Sequence, residues 1–188
     1  NMSNTSTGYY GILEEVPVLS VLGGFYNNSV KLWISSSIGS IHYTKDGSKP
    51  NIGSPVFMDS IYIDSTTIIR AGIFKSHFIS RNIMTQTYFI NESLDSREMP
   101  VFSISTAPGY LWNPDTGIYV QDFKPEWEYP INIEFYENNG VIGFNHEASI
   151  RIIGDLSWQL PQKMLSISPV NDINYPLLDG FPRNKYNS

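Results

Sequence analysis

The chain has 188 residues, 41% of them hydrophobic and 14% aromatic, enough apolar material for one or two small domains with buried cores. Its 18 acidic residues outnumber 12 basic ones, giving a formal net charge of -6 with no Lys/Arg run, so no nucleic acid is expected among its partners. Cysteine is absent, which removes disulfide frameworks, thiolate nucleophiles and Cys-based zinc sites together.

The opening NMSNTSTGYY lacks a basic region followed by an apolar one, and no segment approaches the roughly 18 uninterrupted apolar residues of a membrane span. The chain therefore reads as a mature or excised piece, with any signal or anchor elsewhere and no membrane insertion. From residue 16 a period of two sets in. Val30, Leu32 and Ile34 face one way and Lys31, Trp33 and Ser35 the other; Ile41 and Tyr43 alternate with His42 and Thr44. Ile61 and Ile63 flank Tyr62, then Ile69, Ala71 and Ile73 line one face of a run that ends before Ser76-His77, and a last strand spans about Thr85 to Ile90. Short strands at this spacing predict an immunoglobulin-like antiparallel sandwich over residues 16–91. In IHYTKDGSKP, residues 41–50, Asp46-Gly47 supplies a tight turn, Ser48 can bond its own backbone and Pro50 stops the strand. Those roles explain the polar residues of the turn without a ligand.

Asn91 to Glu98 is mostly polar and has no apolar period, as a linker would. Beyond it, residues 98–188 predict a second small β-rich unit. Pro100 to Ser105 is apolar and β-rich, and Ala107 to Trp112 suits one helical turn. Asn113 to Gly117 suits a turn with Gly117 at positive φ, leading into a strand from Ile118 to Gln121. Ile131, Ile133 and Phe135 alternate with Asn132, Glu134 and Tyr136, and Glu137-Asn138-Asn139-Gly140 supplies a hairpin turn. Ser149 to Ile153 and Met164 to Ser168 complete the unit, while Asn171 to Ser188 shows no pattern and looks like a connection cut short. No long span keeps a helical period, so the fold class is all-β.

Candidate chemistry is sparse. His42, His77 and His146 form no HExxH, so no metal site is predicted; His42 is expected on the outer side of a strand and the other two in turns. The acidic pairs Glu14-Glu15, Glu126 with Glu128, and Glu134 with Glu137 read as solvated surface charge rather than a glycosidic acid/base pair. GxSxG, GxxxxGK[ST] and GxGxxG are all missing, and no catalytic residue or cofactor is predicted. Sugar rings stack on exposed aromatic faces, which makes Trp33, Trp112, Trp127 and Trp158 the candidate ligand-binding residues; each could instead plug a small core.

Two segments carry family resemblances. Ile41 to Pro50, with its Tyr-Thr-x-Asp-Gly-Ser-x-Pro order, then Thr66-Thr67-Ile68-Ile69-Arg70-Ala71 and Thr87-Tyr88-Phe89-Ile90, resembles the immunoglobulin-like domain at the C-terminus of chitobiase/β-hexosaminidase and in fibronectin-III-associated modules. That likeness implies an accessory module without catalytic residues, accompanying bacterial secreted or surface enzymes. Met99 to Thr106, Leu111 to Val120, Ile133-Glu134-Phe135-Tyr136 and Ile150 to Gly154 resemble the N-terminal part of the spore-coat protein H (CotH) kinase-like family. The family's nucleotide-handling stretch falls on Gly154 to Lys163, where Gly154, Ser157, Pro161 and Lys163 match but Asp155 replaces a glycine and Trp158 an arginine. A carboxylate repels phosphate and a lost Arg removes a bidentate partner, leaving Lys163 as the sole nucleotide-binding candidate.

Together these readings predict a non-catalytic accessory or scaffolding module of a bacterial secreted or cell-surface protein, whose partners are neighbouring domains of the parent and a glycan. A carbohydrate-binding module is the alternative, and an inactive front piece of a CotH-like kinase a second one.

Overall fold

Strict alternation builds the strand from which the rest of the first unit is assembled. Strand β4 (Val30–Ser35) buries Val30, Leu32 and Ile34 and exposes Lys31, Trp33 and Ser35. In a computed structural model that describes residues 11–92, 99–120, 126–154 and 159–171, the chain divides into two units, Asn1–Ser93 and Leu94–Ser188.

In the first unit, β1 (Gly11–Leu13), β2 (Val18–Leu19) and β3 (Gly24–Tyr26) precede β4. After it come β5 (Ser40–Thr44), β6 (Ser60–Ile63), β7 (Thr67–Phe74), β8 (Phe78–Ser80) and β9 (Met84–Ile90). They form a three-stranded sheet, β2-β4-β6, and a four-stranded sheet, β3-β9-β7-β5, with a small parallel β1-β8 pair. Val30, Leu32, Ile34, Ile61 and Ile63 from the first sheet meet Ile41, Ile69, Ala71, Tyr88 and Ile90 from the second in one core. This is the all-β immunoglobulin-like sandwich that the alternation predicts, apart from the parallel pairing of β3 with β9. The outer strand β5 is flanked by residues 55–57. Tyr43 N–H donates to the Pro55 carbonyl (3.0 Å), Phe57 N–H to the Ile41 carbonyl (2.7 Å), and His42 bridges Val56.

The second unit contains β10 (Val101–Ser105), a helical turn α1 (Pro108–Trp112), β11 (Glu128–Tyr136), β12 (Ile142–Ile152) and β13 (Leu165–Pro169), the strands forming an antiparallel sheet in chain order. Pro at the start of α1 suits the first helical turn, where no N–H is needed. Ile118, Ile131, Ile133, Ala148, Ile150 and Ile152 form the core, joined by Leu111, Tyr119 and Trp127. The hairpin turn predicted at Glu137–Gly140 joins β11 to β12, with Gly140 at φ 81°.

Several expectations need correction. Ile118 to Val120 is not a strand: Ile118 N–H donates to the Tyr110 carbonyl (2.9 Å) and Tyr119 N–H to that of Leu111 (3.0 Å), folding the segment back on α1. Gln121 lies outside the described residues. Gly117 does not adopt positive φ; a Cβ there would stand 2.6 Å from the Leu111 carbonyl oxygen and 2.8 Å from the Asn113 nitrogen, so close approach is what requires glycine. His146 sits in β12 rather than in a turn. The alternation in β11 does not send its polar residues to solvent, because Asn132, Glu134 and Tyr136 are buried as fully as Ile131, Ile133 and Phe135. Glu134 therefore is not a surface charge. Of the expected linker Asn91–Glu98 only Asn91 and Glu92 are described, and of the tail from Asn171 to Ser188 only Asn171.

Candidate functional site

Among the four tryptophans, Trp33 has the best-built surroundings. Strand β4 places it on the outer face of the β2-β4-β6 sheet, 45% exposed, with the Lys31 ammonium 4.9 Å from its ring centre. Ser20 fixes the backbone beneath it: the Trp33 N–H donates to Ser20 Oγ (3.0 Å), and the Ser20 N–H donates to the Trp33 carbonyl (3.0 Å). Register then adds a second ring. Lys31 lies opposite Tyr62 and Trp33 opposite Ser60, so Tyr62 is the diagonal neighbour of Trp33 on the same face. Tyr62 is 62% exposed and its hydroxyl donates to Ser29 Oγ (2.7 Å), which steadies the ring. Exposed Val18 extends the apolar surface from β2. Two rings and a cation thus stand side by side on one sheet face.

The other candidates are arranged differently. Trp112 ends α1, is 61% exposed and tilts against Tyr119, with ring centres 4.8 Å apart. Trp127 packs against the core of the second unit and is half-buried, which leaves little free face for a ligand. Trp158 lies outside the described residues. Lys163 is half-buried just before β13, and residues 155–158 of its stretch lie outside the described residues. Tyr62 is the functional candidate that sequence reading missed. Its outward position was visible in the Ile61-Tyr62-Ile63 alternation, but its nearness to Trp33 depends on the β4–β6 register.

The turn at 44–50 is internally committed. Asp46 Oδ1 accepts from the Ser48 N–H (3.0 Å) and from the Ser48 hydroxyl (2.5 Å), Thr44 Oγ1 donates to the Ser48 carbonyl (2.6 Å), and Gly47 takes φ 82°. Buried Arg70 locks the loop from β7, donating to the Gly47 carbonyl (3.0 Å) and to Thr85 Oγ1 (3.2 Å). The Ser48 hydroxyl holds the Asp46 carboxyl below its usual range; partial burial opposes this and the Ser48 N–H adds to it. A cleft of about 310 Å³ beside the turn is lined by Tyr43, Thr44, Lys45, Asp46 and Pro55. His42 is also committed. It occupies the outward side of β5 as expected, yet it is buried beneath residues 54–56, with Nδ1–H donating to the Ser54 carbonyl (2.8 Å). Among the described residues no group of three or more His, Asp or Glu side chains could hold a metal ion.

Within the first unit the Tyr88 hydroxyl donates to the Val21 carbonyl (2.8 Å) and the Arg70 guanidinium to Thr85 Oγ1 (3.2 Å). Residues 21–85 match the family model of the chitobiase/beta-hexosaminidase C-terminal domain. That family is a non-catalytic accessory module of glycosidases and is typically extracellular. The matched stretch contains the Asp46 turn, Arg70, and the Lys31, Trp33 and Tyr62 face. It ends before the second unit, and no comparison supports the CotH-like resemblance of residues 98–188. No curated protein and no solved structure matches the chain. Among the described residues no helix is long and apolar enough to cross a membrane.

Proposed function

We propose that the chain is a non-catalytic accessory module of a bacterial secreted or cell-surface protein and that it spaces or presents neighbouring domains of its parent. The observation that carries this reading is the family match over the sandwich, where the signature polar residues Thr44, Asp46, Ser48 and Arg70 bond to one another, to Thr85 or to backbone rather than pointing at a ligand. Nitrophenyl β-N-acetylglucosaminide and related chromogenic glycosides should stay intact in the presence of the 188-residue chain. Turnover that disappears on heat denaturation would overturn the reading.

A second activity has specific support. The paired exposed rings of Trp33 and Tyr62 give flat apolar surface beside hydrogen-bonding groups, the combination that holds a pyranose by stacking. On this reading the outer face of the β2-β4-β6 sheet is a glycan-binding face. Calorimetry with chitin and plant-wall oligosaccharides should reveal a ligand below millimolar, weakened in Trp33→Ala and Tyr62→Ala. Absence of any such ligand sinks the glycan reading and leaves the accessory role standing.

A further inference from the structure

The face that carries Trp33 and Tyr62 also carries a cation. Lys31 is outward on β4, two residues from Trp33 and opposite Tyr62, so it shares the face with both exposed rings. Its nearest recorded partner is the Trp33 ring at 4.9 Å, and among the described residues no carboxylate pairs with it. The remaining outward positions of the three strands are uncharged: Val18, Ser35 and Ser60. A lysine with no carboxylate partner among the described residues, beside an exposed ring, gives this face a local positive charge in a chain whose formal charge is -6.

Resting on the glycan reading above, we infer that this face is selective for acidic glycans, polymers whose sugar rings carry a carboxylate as uronates do, with Lys31 holding the carboxylate while Trp33 and Tyr62 stack the rings. The chemistry favours an anion over a neutral sugar at this position. A hydroxyl returns to the ammonium only an ordinary hydrogen bond, whereas a carboxylate returns a charge-assisted one. The cation–π contact that must loosen for this is a weak surface interaction. Asp59 and Asp64 bracket β6 at its two ends and repel a carboxylate there.

The test compares two ligands that differ only in the carboxylate: β-linked oligoglucuronate and the cello-oligosaccharide of equal length, titrated calorimetrically into the 188-residue chain at low salt. The expected result is tighter binding of the oligoglucuronate by about two- to fivefold, the scale of one exposed charge pair. That advantage should vanish in Lys31→Gln and shrink as salt is raised, whereas Trp33→Ala should weaken both ligands. All these side chains are outward, so unchanged melting curves will show that the variants fold. Equal or tighter binding of the neutral oligomer through Trp33 overturns the charge selectivity and leaves the glycan reading intact. Unaltered uronate binding in Lys31→Gln overturns it too. If neither oligomer binds, nor any chitin or plant-wall oligosaccharide, both readings fall.

Discussion

Arg70 shows how a single buried side chain can hold a signature loop in place. Its buried guanidinium reaches the Gly47 carbonyl and Thr85 Oγ1 on the face of β7 turned away from the Ile69 and Ala71 core, so the turn is anchored to two strands at once. Arg70→Met keeps the volume but leaves both partners without that donor, and should cost about 2–3 kcal/mol in chemical denaturation. Arg70→Lys should recover only part of this, because an ammonium cannot reproduce the fork. Asp46 offers a test of a different kind. The folded state favours its anion, so its contribution is fully present above the unfolded carboxyl value of about 3.9 and is lost as pH falls through the lower folded value. The melting-temperature difference between the parent and Asp46→Asn should therefore narrow below about pH 4, and only modestly, since the group is largely solvated. A difference that widened on acidification would refute the assignment. The turn itself was legible in the sequence because Asp-Gly-Ser and Pro have local preferences. The role of Arg70 was not, because its partners Gly47 and Thr85 lie 23 and 15 residues away.

At the scale of elements, alternation told truly wherever one sheet face meets the core and the other meets water. Strands β4 and β6 follow it, with Trp33 and Tyr62 outward as a period of two requires. It failed in β11, where both faces are covered and the polar residues turn toward one another. There the Tyr136 hydroxyl donates to Glu134 Oε1 (2.8 Å), Asn145 Nδ2 reaches the same oxygen at 3.5 Å, and Asn132 Nδ2 donates to Asn145 Oδ1 (2.9 Å). The acceptor-only carboxylate orients Asn145, and Asn145 in turn orients Asn132. This order leaves Asn132 Oδ1 without a partner among the described residues, and the Oγ of its cross-strand neighbour Ser105 is likewise buried without one among them. Ser105→Ala should accordingly be neutral or stabilise the protein by up to about 1 kcal/mol, read from the denaturation midpoint at constant slope. A loss of more than that would show that the hydroxyl has a partner. Periodicity could not reveal this network, since a polar residue facing a buried polar partner and one facing water give the same pattern. The parallel strand β3 escaped notice for a related reason: Gly-Phe-Tyr is too short to show a period.

For the whole molecule, each hydrophobic core draws on one unit alone, residues 19–90 in the first and 111–167 in the second. Residues 1–93 expressed separately should therefore fold, with dispersed amide resonances and a cooperative melt, and should keep whatever glycan affinity Trp33 confers. An unfolded fragment would show that the second unit is needed to complete the first. The edge cover along β5 bears on how such a domain behaves at high concentration. An uncovered outer strand offers its amides and carbonyls to any passing copy, the starting point of strand-by-strand aggregation. Residues 55–57 already occupy that position through Tyr43, Phe57 and the His42–Val56 bridge, and Pro55 has no amide hydrogen to offer. This margin is thus closed to polymerisation by the chain's own backbone.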